Sequence, residues 1–385
     1  MNKLSIPYGR QYISQDDIDA VVSVLQSDFL TQGPIVSRFE EEVCKYCSAK
    51  YAVAVNSATS ALHIACIALN VGIDDWVWTS PITFVASANC AVYCGAKVDF
   101  VDIDPHTYTM SVSRLAEKLK KAKESDILPK VVIPVHLCGQ SCDMDGIYKL
   151  SLEYGFKIIE DASHAIGAKY KGQPIGNCKY SDITVFSFHP VKIITTGEGG
   201  LAITNNKKYY AHMQRLRSHG ITRDFDEMTH PPDGSWYYQQ LELGYNYRMT
   251  DIHAALGLSQ LQNLDKFIER RQAIAKLYNE LLNQTDFILP YQHPDTYSSL
   301  HLYVIRTGKS KINSHKDLFE KLRSSGILVN LHYIPVYHHP FYQKQGFMPT
   351  DFPEAENYYS EAISLPIYYG LQDDDVRIIV DKLLN

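Results

Sequence analysis

The stretch ITVFSFHPVKIITTGEGGLAIT, residues 183–204, joins an apolar run, a polar hinge, a lysine inside a Gly/Thr loop and a second apolar run. Both runs lack the polar alternation of a half-exposed strand, so they read as strands buried on two faces. Five more runs of that kind precede them: YAVAV (51–55), VWTS (77–80), VDFVD (98–102), VVIPVH (131–136) and FKIIED (156–161). Helical patterns such as SRLAEKLKKAKE (113–124) and MDGIYKLSLEY (144–154) lie between them. This alternation predicts an α/β fold with a mostly parallel central sheet.

The pattern changes near residue 220. TRDFDEMTHPPDGSWYYQQ (222–240) is polar and aromatic, with two prolines and a glycine, and reads as a loop excursion. A long helical stretch is expected from Thr250 to Leu282, where ALGLSQLQNLDKF (255–267) shows heptad-like apolar spacing. Beyond Pro290 the chain is richer in tyrosine and histidine. Strands are expected near LYVI (302–305) and ILVNLHY (327–333), and helices near HKDLFEKLRSSG (315–326) and DDDVRIIVDKLL (373–384). The expected organisation is a large domain over 1–250, a connecting helix over 251–283, and a smaller C-terminal α/β domain over 284–385.

With 385 residues, 45% hydrophobic and 21% charged, the composition is that of an ordinary globular protein. The formal charge of −6 argues against a nucleic-acid surface. No apolar run approaches the ~20 residues that cross a bilayer, and the first residues lack a secretory signal, so the cytoplasm is expected. Eight cysteines include Cys44 and Cys47 inside an amphipathic run, and Cys138 and Cys142 after His136. No second ligand pair stands at finger-like spacing, which favours reduced thiols and no metal.

Three segments carry candidate chemistry. In NSATSALHIACIAL (56–69) a strand runs into a helix through small hydroxylated residues. Ser57, Thr59 and Ser60 can cap that helix, and the same unpaired N–H groups could bind a phosphate. In EDASHA (160–165), Asp161 ends a buried strand, on the edge where open α/β sheets place their ligands; a cap or an ion pair is the plainer reading. Lys192 follows Ser187 and His189 at another strand end. A lysine buried there would have a depressed pKa and could bond covalently to an aldehyde. A carboxylate opposite it could hold a pyridine nitrogen protonated. Cup, carboxylate and lysine on strand ends together suggest a pyridoxal phosphate (PLP) site.

The segments NSATSAL (56–62), TSPITFVASAN (79–89), EDASHAIGA (160–168), FSFHPVKIITTGEGG (186–200), LRSHGI (216–221) and LGYNYRMTDIHAALGLSQL (243–261) resemble the DegT/DnrJ/EryC1/StrS family of sugar aminotransferases. The resemblance runs from about Tyr8 to near the C-terminus and implies a fold type I enzyme. It implies that Lys192 holds PLP and shuttles the proton, that Asp161 pairs with the pyridinium nitrogen, and that His164 lies near the phenolic oxygen. Phe84 would stack on the ring, and Ser57, Ala58, Thr59 and Ser187 would hold the phosphate. Asn246 would reach the phosphate held by a neighbouring subunit, making the active unit a homodimer. Tyr8, the stretch Asp28, Phe29, Leu30 and Thr31, and the stretch Leu331, His332, Tyr333 and Ile334 would line a sugar-nucleotide pocket, with Ala58, Ser187 and Asn246. DFLTQGP (28–34) and NLHYIPVYHHPFYQKQGF (330–347) point to members that aminate C4 of a UDP-linked 4-keto-6-deoxy-N-acetylhexosamine with L-glutamate. Some of these carry lysine where this chain has Ile334, so charge for the nucleotide phosphates would come from His332, Arg223 or Arg248.

Overall fold

A computed structural model describes residues 5–308 and 314–385. Its centre is a seven-stranded sheet built from β1 (Tyr51–Val55), β2 (Trp76–Thr79), β3 (Lys97–Phe100), β4 (Val131–Ile133), β5 (Lys157–Asp161), β6 (Ile183–Ser187) and β7 (Gly200–Thr204). These are the seven apolar runs read from the sequence, their bounds differing by at most one residue at the start and three at the end. The strand order is β1-β7-β6-β5-β4-β2-β3. β7 is antiparallel to both of its neighbours and every other pairing is parallel. Because helices cover both faces, the strands are apolar throughout: all five residues of β6 and of β7 are buried.

Two helices follow strand ends at the site: α1 (Ala58–Ala68) after β1, and α2 (Ala86–Tyr93) after β2. Ser57 caps α1, its hydroxyl accepting the Ser60 N–H at 3.2 Å. The expected single helix from Thr250 to Leu282 is two helices, α3 (Asp251–Gln262) and α4 (Leu264–Leu282). Asn263 between them has φ −101 and ψ 2, outside helical geometry. The amphipathic period continues across that residue, so periodicity alone did not reveal the break.

The chain from 222 to 240 is an excursion closed by a short ladder, Ile221–Thr222 against Gln239–Gln240. Of ILVNLHY, Ile327–Leu328 alone is a strand, pairing in parallel with Ile6–Pro7. Here β8 (Tyr303–Arg306) pairs antiparallel with β9 (Ala362–Leu365). α4, these strands and helix Asp373–Leu384 enclose a second core containing Tyr278, Tyr303, Ile363 and Ile379. Val336, Tyr337, Tyr342, Phe352 and Tyr358 instead join the core beneath the large sheet, around Phe100.

Arg271 of α4 ties the C-terminal part together. Buried to 2% exposure, it donates through Nη1 to the carbonyls of Leu300, His301 and Ile367 at 3.0–3.2 Å. These carbonyls belong to irregular backbone, which has no ladder of its own to satisfy them.

Candidate active site

Six of the seven strands point the same way, so their carboxyl ends share one edge of the sheet. Val55, Asp161 and Ser187 end β1, β5 and β6 there. The reversed strand β7 begins at this edge, with Gly200 in register between Val55 and Ser187. A Cβ on Gly200 would lie 2.4 Å from the Ala58 nitrogen and 2.5 Å from the Ser57 oxygen. Glycine at the start of β7 is therefore what lets the α1 N-terminus settle onto the edge.

A cavity of about 810 Å³ opens over this edge, lined by Ser57, Phe84, Asp161, His164, Lys192 and His301 among others. Lys192 is reached through a tight turn in which its N–H donates to the His189 carbonyl at 2.9 Å. Burial lowers the lysine to about 8, against the opposing pull of Asp161. An amine in that range is uncharged often enough to act as a nucleophile and a proton carrier near neutral pH.

Asp161 is 4% exposed and held from both sides. Ser87 of α2 donates to Oδ2 at 2.6 Å, and the Ser163 N–H donates to Oδ1 at 3.1 Å. Ser87 is itself 2.7 Å from the Thr83 hydroxyl. Directly behind, Glu160 faces the other side of the strand and meets His136 at 2.7 Å. Adjacent carboxylates thus serve opposite faces, as the strand's period of two requires.

At the cup, the Ser57 hydroxyl accepts the Ser60 N–H and lies 3.0 Å from Ser60 Oγ. The earlier N–H groups of a helix have no intrahelical partner, so those of Ala58 and Thr59 remain for an anion. Capping and anion binding coexist here, because the cap consumes a different N–H.

Several expected residues gather at this cavity: Tyr8, Ser57, Ala58, Thr59, Phe84, Asp161, His164, Ser187, Lys192, Leu331, His332 and Tyr333. Phe84 is 57% exposed, with its ring 6.2 Å from that of Tyr333. Four groups do not line the cavity. Asp28–Thr31 is exposed and docks on the start of α3, where Asp251 N–H donates to the Leu30 carbonyl. Asn246 is exposed, its backbone bridging Ser218 beside β1. Ile334 is 44% exposed and is not part of the cavity lining. The alternative cations are elsewhere too: Arg248 reaches Ser218 Oγ at 3.2 Å, and Arg223 lies over Tyr238.

His332 does not supply the charge either. Ser364 engages its Nδ1 at 2.8 Å and Asn330 its Nε2 at 3.4 Å, and burial lowers it to about 3. It is a neutral pocket wall. Among the described lining residues, Lys192 is the one Lys or Arg.

Ser87, His301 and Asn330 line the cavity without having been singled out in the sequence. A hydroxyl at the start of the apolar segment ASANCAVY was a usable sign for Ser87. His301 carried no local sign, since a histidine beside a strand is ordinarily packing.

A carboxyl sheet edge that gathers a depressed lysine, a buried carboxylate and a glycine-spaced helix N-terminus has the parts that grip pyridoxal phosphate: an amine for the aldehyde, an acid for the ring nitrogen, N–H groups for the phosphate. His164 fits as well, its buried Nδ1 having no partner within the chain. The chain belongs to the DegT/DnrJ/EryC1/StrS aminotransferase family, whose pattern matches residues 11–384. It is 38% identical to the UDP-4-amino-4,6-dideoxy-N-acetyl-beta-L-altrosamine transaminase of Campylobacter jejuni, over 99% of this chain and 97% of that protein. Helicobacter pylori PseC, an aminotransferase of pseudaminic acid biosynthesis, superposes with a TM-score of 0.90 at 30% identity, covering 99% and 98% of the two chains. Spr1654 of Streptococcus pneumoniae, described as a sugar aminotransferase and solved in its PLP form, superposes with a TM-score of 0.88 at 30% identity, over 98% and 97%. The protein is a PLP-dependent sugar aminotransferase.

Proposed function

We propose that this enzyme moves the amino group of L-glutamate to C4 of a UDP-linked 4-keto-6-deoxy-N-acetylhexosamine, forming UDP-4-amino-4,6-dideoxy-N-acetyl-β-L-altrosamine for pseudaminic acid synthesis. The observation that carries the choice of sugar is the full-length likeness to the Campylobacter jejuni transaminase. A cavity of about 810 Å³ is roomy enough for cofactor and sugar together.

Bound PLP supplies an electron sink that lets a carbon-bound proton leave the amine-bearing carbon. Lys192 would carry a proton in each half-reaction, from Cα of the donor to the cofactor as the keto acid forms, and from the cofactor to C4 of the sugar as the amine forms. Its value near 8 suits both directions, since about a tenth of the amine is uncharged at neutral pH and either form is reached at small cost. Asp161 holds the ring-nitrogen proton, and Ser87 and Ser163 fix the carboxylate so that it does not swing. The N–H groups of Ala58 and Thr59, with Ser57 and Ser187, hold the phosphate. Phe84 covers the ring, while Tyr8, Leu331, His332 and Tyr333 line the sugar side.

In this reading the enzyme is a cytoplasmic homodimer. Glutamate and a nucleotide diphosphate are anionic, yet Lys192 is the one Lys or Arg among the described lining residues. The exposed Asp28–Thr31 stretch and Asn246 would complete the neighbouring subunit's pocket. Eight unpaired thiols favour a reducing compartment. Among the described residues no helix is long and apolar enough to cross a membrane.

Incubating the PLP-loaded protein with the UDP-4-keto sugar and glutamate, and identifying the product by NMR, tests the assignment. A 4-amino sugar of the β-L-altro configuration supports it. An amine of the other C4 configuration, or no turnover with this sugar alongside turnover of another nucleotide keto sugar, overturns the substrate while leaving the reaction.

A further inference from the structure

His164 is 5% exposed and is approached by three side chains from the C-terminal part of the fold. The Tyr333 hydroxyl stands 3.0 Å from its Nε2. The His301 ring lies 4.4 Å away, tilted by 49°. Ser299 donates to its carbonyl at 3.0 Å. Its Nδ1 is buried without a partner.

The proton on this imidazole has a determinate place. His164 stays neutral, because burial and the neighbouring Lys192 and His332 oppose its charge. Burial likewise keeps the Tyr333 hydroxyl protonated, with Tyr8, Asp161 and Cys138 adding to the effect. Two arrangements then compete. If Nε2–H donated to Tyr333, the tyrosine proton and the Nδ1 lone pair would both lack partners. If Tyr333 donates to Nε2, one group alone is left over, the Nδ1–H. Each stranded buried group costs free energy, so the second arrangement wins.

We propose that Tyr333 is a positioning residue for the cofactor: by donating to His164 Nε2 it fixes the imidazole's single proton on Nδ1, leaving a donor whose acceptor must come from the bound cofactor. This rests on the PLP reading of the cavity. The phenolic oxygen of PLP is such an acceptor, and a donor to it favours its ionised form. Tyr333 is thereby a tuner of the cofactor from a segment expected merely to line the sugar pocket.

The test uses the PLP-loaded protein without substrate. The groups around His164 that could confuse a titration are Lys192, His301, His332, Tyr333 and Asp161. Nitrogen-15 NMR of labelled histidine reads the tautomer directly, with His164→Gln assigning the signal. The expected result is an Nδ1–H tautomer, which becomes mixed in Tyr333→Phe when the cofactor is removed and no phenolic oxygen holds that proton. The pH midpoint of the cofactor's visible absorbance should also rise in Tyr333→Phe, by about one unit for a lost hydrogen bond at a charged group. In a His164→Gln background the same substitution should leave the midpoint unmoved, since coupled residues are not additive. An Nε2–H tautomer in the wild type, or an equal midpoint shift in both backgrounds, overturns the proposal, and the tautomer stays readable if Tyr333→Phe folds poorly. Visible absorbance of the reconstituted wild type tests the PLP reading separately.

Discussion

Gly200, the first residue of β7, packs against the first turn of α1 so closely that a Cβ would stand 2.4 Å from the Ala58 nitrogen. That nitrogen is one of the two proposed to hold the cofactor phosphate. Gly200→Ala must push the cup away from the sheet edge, and overpacking of this kind costs roughly 1–3 kcal/mol. No left-handed φ is involved at Gly200, so the strand itself tolerates alanine. The expected outcome is a folded protein whose PLP dissociation constant, from an absorbance titration, is raised about tenfold or more. Unchanged affinity would show that the cup does not hold the phosphate.

Lys192 governs how the pH acts. With a value of about 8 in place of 10.5, the rate at which cofactor-free protein takes up PLP covalently should climb with pH through a midpoint near 8. A midpoint near 10.5 would remove burial as the activating cause. The stability of the cofactor-free protein carries the same signature. Between the two values the unfolded chain binds more protons than the folded one, so stability rises with pH across that window. Lys192→Ala should abolish turnover and remove both the covalent cofactor absorbance and this pH dependence.

Ser87→Ala takes one of two hydrogen bonds from the buried Asp161 carboxylate. A hydrogen bond to a charged group is worth about 1.5–3 kcal/mol, so kcat should fall roughly ten- to a hundredfold. Thr83→Val acts one step further back, through Ser87, and should cost less. Steady-state kinetics on the two variants decide the order. The reverse ranking would mean that Ser87 merely packs.

Arg271→Met should lower the thermal midpoint sharply. It strands the carbonyls of Leu300, His301 and Ile367 in a buried seam, at roughly 1–3 kcal/mol for each unsatisfied group. Arg271→Lys should rescue only in part, because the shorter side chain places its ammonium short of the Nη1 position that reaches all three carbonyls. Calorimetry of both variants is the measurement, and a midpoint equal to wild type in Arg271→Met would refute the clamp.

The elements that were legible from sequence are those whose cause is local. Each sheet strand is a short apolar run bounded by polar residues. α1 begins where a serine can cap it, and helix Asp373–Leu384 covers the DDDVRIIVDKLL pattern. The break at Asn263 was hidden because the apolar period continues on both sides of it. ILVNLHY reads as one long strand by composition, yet its backbone satisfies other partners: Asn330 bridges Ser364 and Tyr358 donates to the His332 carbonyl.

Lys192, Asp161 and Ser57 stood out because each ends or follows a strand, and strand ends share an edge in any parallel sheet. That much the sequence determined about this protein: the fold, the edge and the candidate residues on it. The tertiary structure alone decided how that edge is finished. It brought Gly200 under Ala58 from the adjacent strand and Ser87 onto Asp161 from a βα unit two strands away. It set Tyr333 and His301 against His164 from more than a hundred residues away, while leaving Ile334, Asn246 and Asp28–Thr31 outside the cavity lining. These outcomes depend on which nitrogen, carbonyl or ring lies within a few ångströms after the chain has packed, and local residue pattern carries no information about contacts of such sequence separation. Lys192 was recognisable as a candidate from its neighbours in the chain, but its value near 8 comes from what the fold buries around it.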